Sequence, residues 1–576
     1  MKYKAAIATA SFLLAVVLYP LCYPDSYHLG VGISAGAMAV STVGVVLLLG
    51  LAHQLAIGQA AFSMIGGYAN AILCVRYGWD PFVAMVAGAV LAMVLAYAIA
   101  TPLLKLRGFV LAMATLALHL MLIVVAVQVD FTGGPMGVTG IPKFAVFGLP
   151  LSNDRSFFWF IWLLVFGAVW IGLRIDHSSI GRALRAIAAS DQAAGSVGID
   201  ITRHKVQMFV IGGGMASVSG SLLVHYLRAT DPTVFSFGYS INLITGTIIG
   251  GLTSIWGGAL GAAIIIFLRE LLRELELPLW ESVIMGALTV LVLIVFPRGI
   301  AGFVSRIYDR VVGDEAPRRV VVTEPGAVAL PAMSDPPALV LDGVSRSFGS
   351  LRAVNAVDFT VPAGAITALI GPNGAGKTTL FNLISGHLRL DAGVVRFDGR
   401  EIQALEPRDV ARLGIGRTFQ NLQLFDNMTV LQNVMCGHHR FGGAGAEQAA
   451  RDTLAFVGLQ GAERHEPASL PFGHQRLVEI ARALALRPRM LLMDEPASGL
   501  NDAETERLSE LIVRVAALGV TVLLVEHDMR LVMGLADHVV VMDHGEKIAE
   551  GAPEPVRADP AVIAAYLGQE LPARAA

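Results

Sequence analysis

Two short stretches of this 576-residue chain carry residue types arranged for chemistry on a phosphate. In Gly371-Pro-Asn-Gly-Ala-Gly376-Lys377-Thr378, the glycines let successive backbone N–H groups wrap an anion, and Lys377 has the reach to meet the outer phosphate oxygens. Thr378 adds a hydroxyl suited to Mg2+. An apolar run, Thr367–Ile370, precedes the loop, and a helical pattern, Leu380–Ser385, follows it. Strand, Gly-rich loop and helix together are the setting a phosphate cradle requires, and an ordinary Gly-rich turn lacks such flanks. The second stretch, Met490-Leu-Leu-Met-Asp494-Glu495, reads as a buried strand ending in two carboxylates. Asp494 suits the shell of a Mg2+ ion, while Glu495 is placed to polarise an attacking water. Solvated acidic pairs at strand ends are common, but this one follows the loop by about 120 residues with further motifs around it.

These stretches lie in the more polar part of an apolar chain. Hydrophobic residues make up 55%, charged residues 15%, and the mean hydropathy is +0.64. Soluble globular proteins carry about 25% charged residues, so the composition argues against a single soluble body. A net charge of −3 offers no basic field for nucleic acid. Three scattered cysteines, Cys22, Cys74 and Cys436, supply no disulfide framework.

The first ~300 residues are a succession of apolar runs, each near the ~20 residues that cross a ~30 Å hydrocarbon core. Ala5–Cys22, Gly30–Leu51, Phe82–Leu104, Phe109–Val129, Phe157–Leu173, Val206–Leu227 and Ser282–Phe296 are expected spans. Ile57–Val75, Ile241–Leu252 and Trp256–Leu268 are shorter or interrupted by glycine, and a broken helix is tolerated only where protein or water covers its backbone. The expectation is about ten helices, the first an uncleaved span rather than a leader, because Leu21-Cys22-Tyr23 lacks a small-residue cleavage pattern. Threaded in order, Lys2/Lys4, Lys105/Arg107, Arg182/Arg185/Arg203/Lys205 and Arg298/Arg306/Arg310 fall on one side, which places both termini in the cytoplasm. The opposite side receives Pro24–His28, the Gly-rich Thr132–Pro142 stretch and an Arg269–Glu281 loop. No Asp, Glu, Lys or Arg is expected mid-helix, which argues against a proton- or ion-coupled carrier. Gln59, Asn70, His119, Gln128, Asn242 and Thr245 could line a path, although bonding between helices is the commoner role for such residues.

The expected organisation is a multi-pass all-α membrane domain over residues 1–303, a Pro-rich linker over 304–338 and an α/β domain over 339–576. In the last, the short apolar runs Ile366–Ile370, Met490–Met493, Val520–Val525 and Val539–Met542 alternate with helical stretches, the pattern of a largely parallel sheet.

The C-terminal domain resembles the nucleotide-binding domain of ABC transporters. Phe348, 23 residues before Gly371, matches the aromatic that stacks on adenine; Gln420, in Arg417-Thr-Phe-Gln420, matches the glutamine that senses Mg2+ and the membrane domain. Leu470-Pro-Phe-Gly473-His-Gln-Arg matches the signature loop, Ser498-Gly-Leu-Asn501 the D-loop, and His527 the switch histidine. The resemblance implies a P-loop ABC ATPase fold with ATP and Mg2+ as cofactors. It assigns nucleotide contacts to Phe348, Gly371, Asn373, Gly374, Gly376, Lys377, Thr378, Thr379 and Gly473, Mg2+ contacts to Thr378, Gln420 and Asp494, and catalysis to Glu495, His527 and Gln420. Pro471, Phe472 and His474 depart from the common Leu-Ser-Gly-Gly-Gln signature; the first two are usual in the branched-chain amino acid branch, and His474 is not. ATP sites in this family are composite, so a dimer of such domains is implied.

The N-terminal domain resembles the permeases of branched-chain amino acid importers through Gly50-Leu-Ala-His-Gln54 to Tyr68, Leu106-Arg-Gly108, Thr132-Gly-Gly-Pro135 with Gly140-Ile-Pro142, and Phe296-Pro-Arg-Gly299. Gly181-Arg-Ala-Leu-Arg-Ala-Ile187 through Gly198 resembles the cytoplasmic loop that docks on an ATPase. His53, Gln59 and Ala188-Ala189 depart from the family pattern. The resemblance implies a fused permease and ATPase subunit of a bacterial inner-membrane importer for branched-chain or other apolar amino acids. It implies a second permease and a second ATPase, as paralogous chains or another copy, and a separate extracytoplasmic substrate-binding protein. Import of urea, short amides or aromatic acids is the alternative within the family. An ABC exporter fits less well, since exporters usually have six longer helices with large cytoplasmic extensions. A non-transporting regulator would have no use for Lys377, Glu495 and His527 together.

Overall fold

The structure, a computed structural model, describes residues 2–104, 106, 108–296, 299–312, 338–442 and 445–567. Lys105, Arg107, Arg298 and the prolines from Pro317 to Pro337 lie outside the described residues. The chain divides into two units, one of Met1–Leu184 with Thr202–Glu315 and one of Arg185–Ile201 with Ala316–Ala576.

Through residue 312 the helices are α1 (Lys2–Cys22), α2 (Ser26–Val45), α3 (Gln59–Tyr77), α4 (Pro81–Leu103), α5 (Phe109–Gln128), α6 (Asp154–Asp176), α7 (Ser179–Ala189), α8 (Asp191–Ser196), α9 (Ile201–Leu227), α10 (Phe237–Gly250), α11 (Ile255–Glu274), α12 (Glu281–Val295) and α13 (Gly299–Val312). Each of the ten expected apolar segments is one of these helices. Among the described residues, six are long and apolar enough to cross a membrane, or seven when Glu281–Val295 and Gly299–Ile307, bent by 43°, count as one span. Among the others, α10 has only 14 residues, and α3 carries Gln59, Gly66, Gly67 and Asn70.

Helix α2 is buried almost throughout and packs against α6 and α11. It continues as a π-helix, Val46–Leu51, before the chain breaks over 52–58, where His53 has φ +48°. Close approach explains the small residues here. A Cβ on Gly50 would lie 1.7 Å from the Leu252 carbonyl oxygen, and one on Gly220 1.9 Å from that of Ser63. Helices α4 and α5 instead leave Val86, Val90, Leu120 and Val124 exposed, as a lipid-facing surface requires. Strands β1 (Val138–Thr139) and β4 (Ala229–Thr230) pair, as do β2 (Ala145–Val146) and β3 (Leu149–Pro150).

Two boundaries differ from expectation. Helix α11 runs to Glu274 because Leu271 and Leu272 continue the apolar spacing from Leu268, so the expected Arg269–Glu281 loop is half helix, closed by an Arg269 Nε–Glu281 Oε1 ion pair of 2.5 Å. Helix α13 runs to Val312, into the expected linker, with Ile300, Phe303, Val304 and Ile307 at helical spacing.

The second unit holds β5 (Leu339–Phe348), β6 (Leu351–Val361), β7 (Ile366–Ile370), α14 (Lys377–Ile384), β8 (Ala392–Phe397), β9 (Arg400–Glu401), α15 (Pro407–Arg412), β10 (Ile415–Arg417), α16 (Val430–Gly437), α17 (Ala446–Phe456), α18 (Phe472–Ala485), β11 (Met490–Asp494), α19 (Asp502–Ala517), β12 (Thr521–Val525), α20 (Met529–Leu535), β13 (His538–Asp543) and β14 (Glu546–Gly551). Among the described residues, one sheet has the order β10-β11-β12-β7-β13-β14, parallel except at β14. The expected parallel runs are all in it. A second, antiparallel sheet, β6-β5-β8-β9, was not anticipated, because its strands pair across turns rather than around helices. Strands β7, β11 and β12 are buried on both faces, and the candidate chemistry lies just beyond the ends of β7, β10 and β11.

Candidate functional site

Beyond β7 the chain turns at Gly371 (φ +149°), Gly374 (φ +86°) and Gly376 (φ +98°), a sequence of conformations that side chains resist. Space enforces two of the three: a Cβ on Gly371 would lie 2.1 Å from the Met542 carbonyl oxygen, and one on Gly376 2.2 Å from that of Ala353. Gly376 is the N-cap of α14, so the helix starts at Lys377, three residues before the expected Leu380. Asn373, Gly374 and Thr378 are exposed around the loop, Thr379 partly so. Lys377 is buried and its Nζ donates to the carbonyl oxygens of Gly371 (2.7 Å) and Pro372 (2.9 Å), spanning the loop that an anion would occupy. Burial lowers its pKa, opposed by the charges of Glu495 and Asp494.

Asp494, the last residue of β11, is 1% exposed. Its Oδ2 faces Arg417 Nη2 at 3.7 Å, and its Oδ1 has no hydrogen-bond partner. Burial pushes the carboxyl pKa up and Arg417 pulls it back. A buried carboxylate oxygen left open, close enough to Lys377 of the phosphate loop for their charges to interact, is a hard oxygen donor of the kind Mg2+ takes, so these residues fit the metal. Glu495 follows with φ +44°, pinned by its N–H to the Val525 carbonyl (2.9 Å). Its Oε2 accepts from Gln420 Nε2 at 3.0 Å and lies 3.8 Å from His527 Nδ1. Lys377, Asp494, Glu495, Gln420 and His527 are therefore gathered in one place, although they come from four separate stretches.

Phe348 and Gly473 stand on other elements. Phe348 ends β5, 45% exposed, with the Arg346 guanidinium 5.1 Å from its ring centre. Gly473 lies in the first turn of α18, where a Cβ would meet Glu504 Oε1 at 2.5 Å. Among the described residues neither makes a hydrogen bond or ion pair with the cluster. His474, beside Gly473, is partly buried with Nδ1 unpartnered.

Three contributors escaped the sequence reading. Glu526, wholly buried, accepts from the Ala497 N–H (2.9 Å) and the His527 N–H (3.2 Å), and so ties the chain after Glu495 to the switch histidine. Arg476 and Glu479, buried on α18, pair at 2.8 Å; Arg476 also donates to the carbonyls of Phe419 and Gln420, and Glu479 accepts from the Phe419 N–H. They hold the Gln420 loop. The available signal was a set of charges at Arg476, Glu479 and Arg482, spaced i, i+3, i+6 within an apolar helix face.

Of the possible path residues, Asn70 and His119 are bonded between elements: Asn70 Oδ1 to His225 Nε2 (3.0 Å), His119 Nε2 to the Phe235 carbonyl (2.8 Å). Gln59 is buried with both amide atoms unpartnered, Asn242 and Thr245 are half-buried, and Gln128 and His53 are exposed. The segment Arg185–Ile201 packs within the second unit. Helix α8 lies on α15, Asp200 pairs with Arg408, and Asn427 Nδ2 donates to the Arg185 carbonyl at 3.0 Å.

Comparison with known proteins matches residues 29–293 to the permease component of branched-chain amino acid transport systems, 354–498 to the ABC transporter family, and 546–571 to branched-chain amino acid ATP-binding cassette transporters. The high-affinity branched-chain amino acid transport ATP-binding protein BraF of Pseudomonas aeruginosa is 41% identical over 251 residues, 40% of this chain and 98% of that protein. LivG of Escherichia coli is 39% identical with the same coverage. The chain belongs to the branched-chain amino acid family of ABC transporters. It joins on one polypeptide a permease and an ATP-binding cassette, and is a membrane protein. LivG of Archaeoglobus fulgidus, a probable ATP-binding protein, is 37% identical over 247 residues, 40% of this chain and 96% of that protein. A nucleotide-free ATP-binding cassette of known crystal structure is 33% identical over 40% of this ABC transporter chain and 98% of its own, with a TM-score of 0.38.

Proposed function

We propose that the chain is the fused permease and ATPase subunit of an ATP-driven importer of branched-chain or other apolar amino acids. The observation that carries this reading is the gathering of Lys377, Asp494, Glu495, Gln420 and His527 beyond the ends of the parallel strands, in a chain whose other half matches the permease of amino acid transport systems. The loop from Gly371 to Thr379 would hold the phosphates through backbone N–H groups and Lys377, and Phe348 would stack on the base. Thr378, Gln420 and Asp494 would hold Mg2+, which supplies positive charge to the phosphate oxygens. Glu495 orients and deprotonates the attacking water, Gln420 and His527 fix its carboxylate, and His527 also reaches the γ-phosphate. Gly473, at the start of a helix, presents backbone N–H groups to the nucleotide of a second cassette. Partners would be a second permease, a second ATPase and an extracytoplasmic binding protein. The setting would be the bacterial inner membrane, with both termini and the ATPase domain in the cytoplasm and residues 304–338 as the linker.

The test is uptake of labelled leucine, with valine, urea and benzoate as competitors. It uses cells lacking the gene, complemented with wild type or Glu495→Gln while the neighbouring transport genes stay intact. Uptake restored by wild type alone and competed by valine is the expected result. Uptake equal in both strains would remove the ATP-driven mechanism. Competition by urea or benzoate would move the cargo to the family's other substrates, as the departures at His53 and Gln59 would then explain.

A further inference from the structure

One polar line in the second unit leads from the segment Arg185–Ile201 to Asp494 without touching Gln420. Ser196, buried on α8, has its Oγ 3.4 Å from His387 Nε2, and the Gln192 carbonyl oxygen is 3.5 Å from the same nitrogen. On the far side of the ring, His387 Nδ1 lies 3.0 Å from Ser385 Oγ and 3.5 Å from Arg417 Nη1. Arg417 donates to Ser385 Oγ at 2.5 Å, and its Nη2 faces Asp494 Oδ2 at 3.7 Å. The Arg417 and Asp494 side chains are 4% and 2% exposed, so water does not screen the pair. The Phe419 ring, 4.9 Å from the guanidinium, closes another side.

We propose that Ser196, His387, Ser385 and Arg417 form a positioning relay through which the segment Arg185–Ile201 sets the orientation of Asp494 toward Mg2+. The proposal rests on the reading of Asp494 as a metal contact. With Oδ1 open and Oδ2 facing the Arg417 guanidinium, the carboxylate takes its rotation from that guanidinium. Partners one step behind a metal ligand govern its geometry and commonly change metal affinity by 10- to 100-fold. A neutral imidazole donates at one nitrogen and accepts at the other, so the contact at Nε2 and the contacts at Nδ1 depend on each other. Gln420 reaches Glu495 by a separate contact, so the cassette has two routes inward, one to the metal carboxylate and one to the water-activating carboxylate.

The test titrates Mg2+ calorimetrically into the full-length protein in lipid nanodiscs at saturating ADP. Ser196→Ala and His387→Phe should each raise the half-saturating Mg2+ concentration roughly tenfold while leaving Mg2+-free ADP binding unchanged. The double variant should be no worse than either single one, because both cut the same line. Asn427→Ala, which removes a different contact to the same segment, should leave the Mg2+ curve in place. Unshifted curves in both single variants, or shifts that add in the double variant, would overturn the relay. Unchanged Mg2+ binding in Asp494→Asn would overturn the metal reading beneath it instead.

Discussion

Gly374 and Gly376 both have left-handed backbones, at φ +86° and +98°, yet they should not respond alike to a methyl group. Nothing stands within 4 Å of a Cβ at Gly374, so Gly374→Ala meets only the conformational cost of about 1–2 kcal/mol. At Gly376 the same Cβ would lie 2.2 Å from the Ala353 carbonyl oxygen, so β6 or the loop must move. Calorimetry should find ADP binding weakened modestly in Gly374→Ala and by more than tenfold in Gly376→Ala. Glu495→Gln keeps the shape of the side chain and an oxygen for the Gln420 amide, but it loses the base. Phosphate release should fall by roughly 10²- to 10⁴-fold while binding of a non-hydrolysable ATP analogue stays within a few-fold of wild type. At this scale the sequence was highly informative. A phosphate loop works through consecutive backbone groups, so adjacent letters describe it completely. Glu526 and Arg476 were not singled out because the contacts that matter at the site, to Ala497 and to the Phe419 and Gln420 carbonyls, lie 29 to 57 residues away in the chain.

The elements around the site carry charges inward, and one of them makes the second unit sensitive to pH. Burial and the neighbouring Arg417 charge push the His387 pKa down to about 4, against about 6.5 for a free histidine. Between those values the unfolded chain binds more protons than the folded one, so stability falls as pH is lowered from 6.5 toward 4 and is fully retained above 6.5. The whole effect is worth up to about 3 kcal/mol. In His387→Phe the melting temperature should therefore decline less than wild type between pH 7 and pH 4.5; parallel declines would mean that His387 titrates freely. Element types were legible where periodicity is local, as in the ten apolar helices and strands β7, β11, β12 and β13. Element ends were less so, and α11 and α13 outran expectation because a few apolar residues at helical spacing extend a helix through polar sequence.

For the whole molecule, the question is how a permease and an ATPase on one chain act together. If the segment from Gly181 to Gly198 docks on the ATPase, reversing the charges at Arg182 and Arg185 should uncouple the two activities. ATP hydrolysis by the assembled complex should continue while leucine uptake per ATP falls several-fold; an unchanged ratio would move the interface elsewhere. The sequence by itself determined that the chain crosses a membrane, that a phosphate cradle follows a buried strand, and that the C-terminal half is an α/β domain. Runs of ~20 apolar residues and glycines at fixed offsets act over a turn or a span, so no distant partner is needed to read them. Only the tertiary structure decided that Gln420 bonds Glu495 across 75 residues and that Arg417 faces Asp494. Those contacts join residues whose neighbours in the chain say nothing of each other, and burial decides their energy, which exists only once the chain has folded.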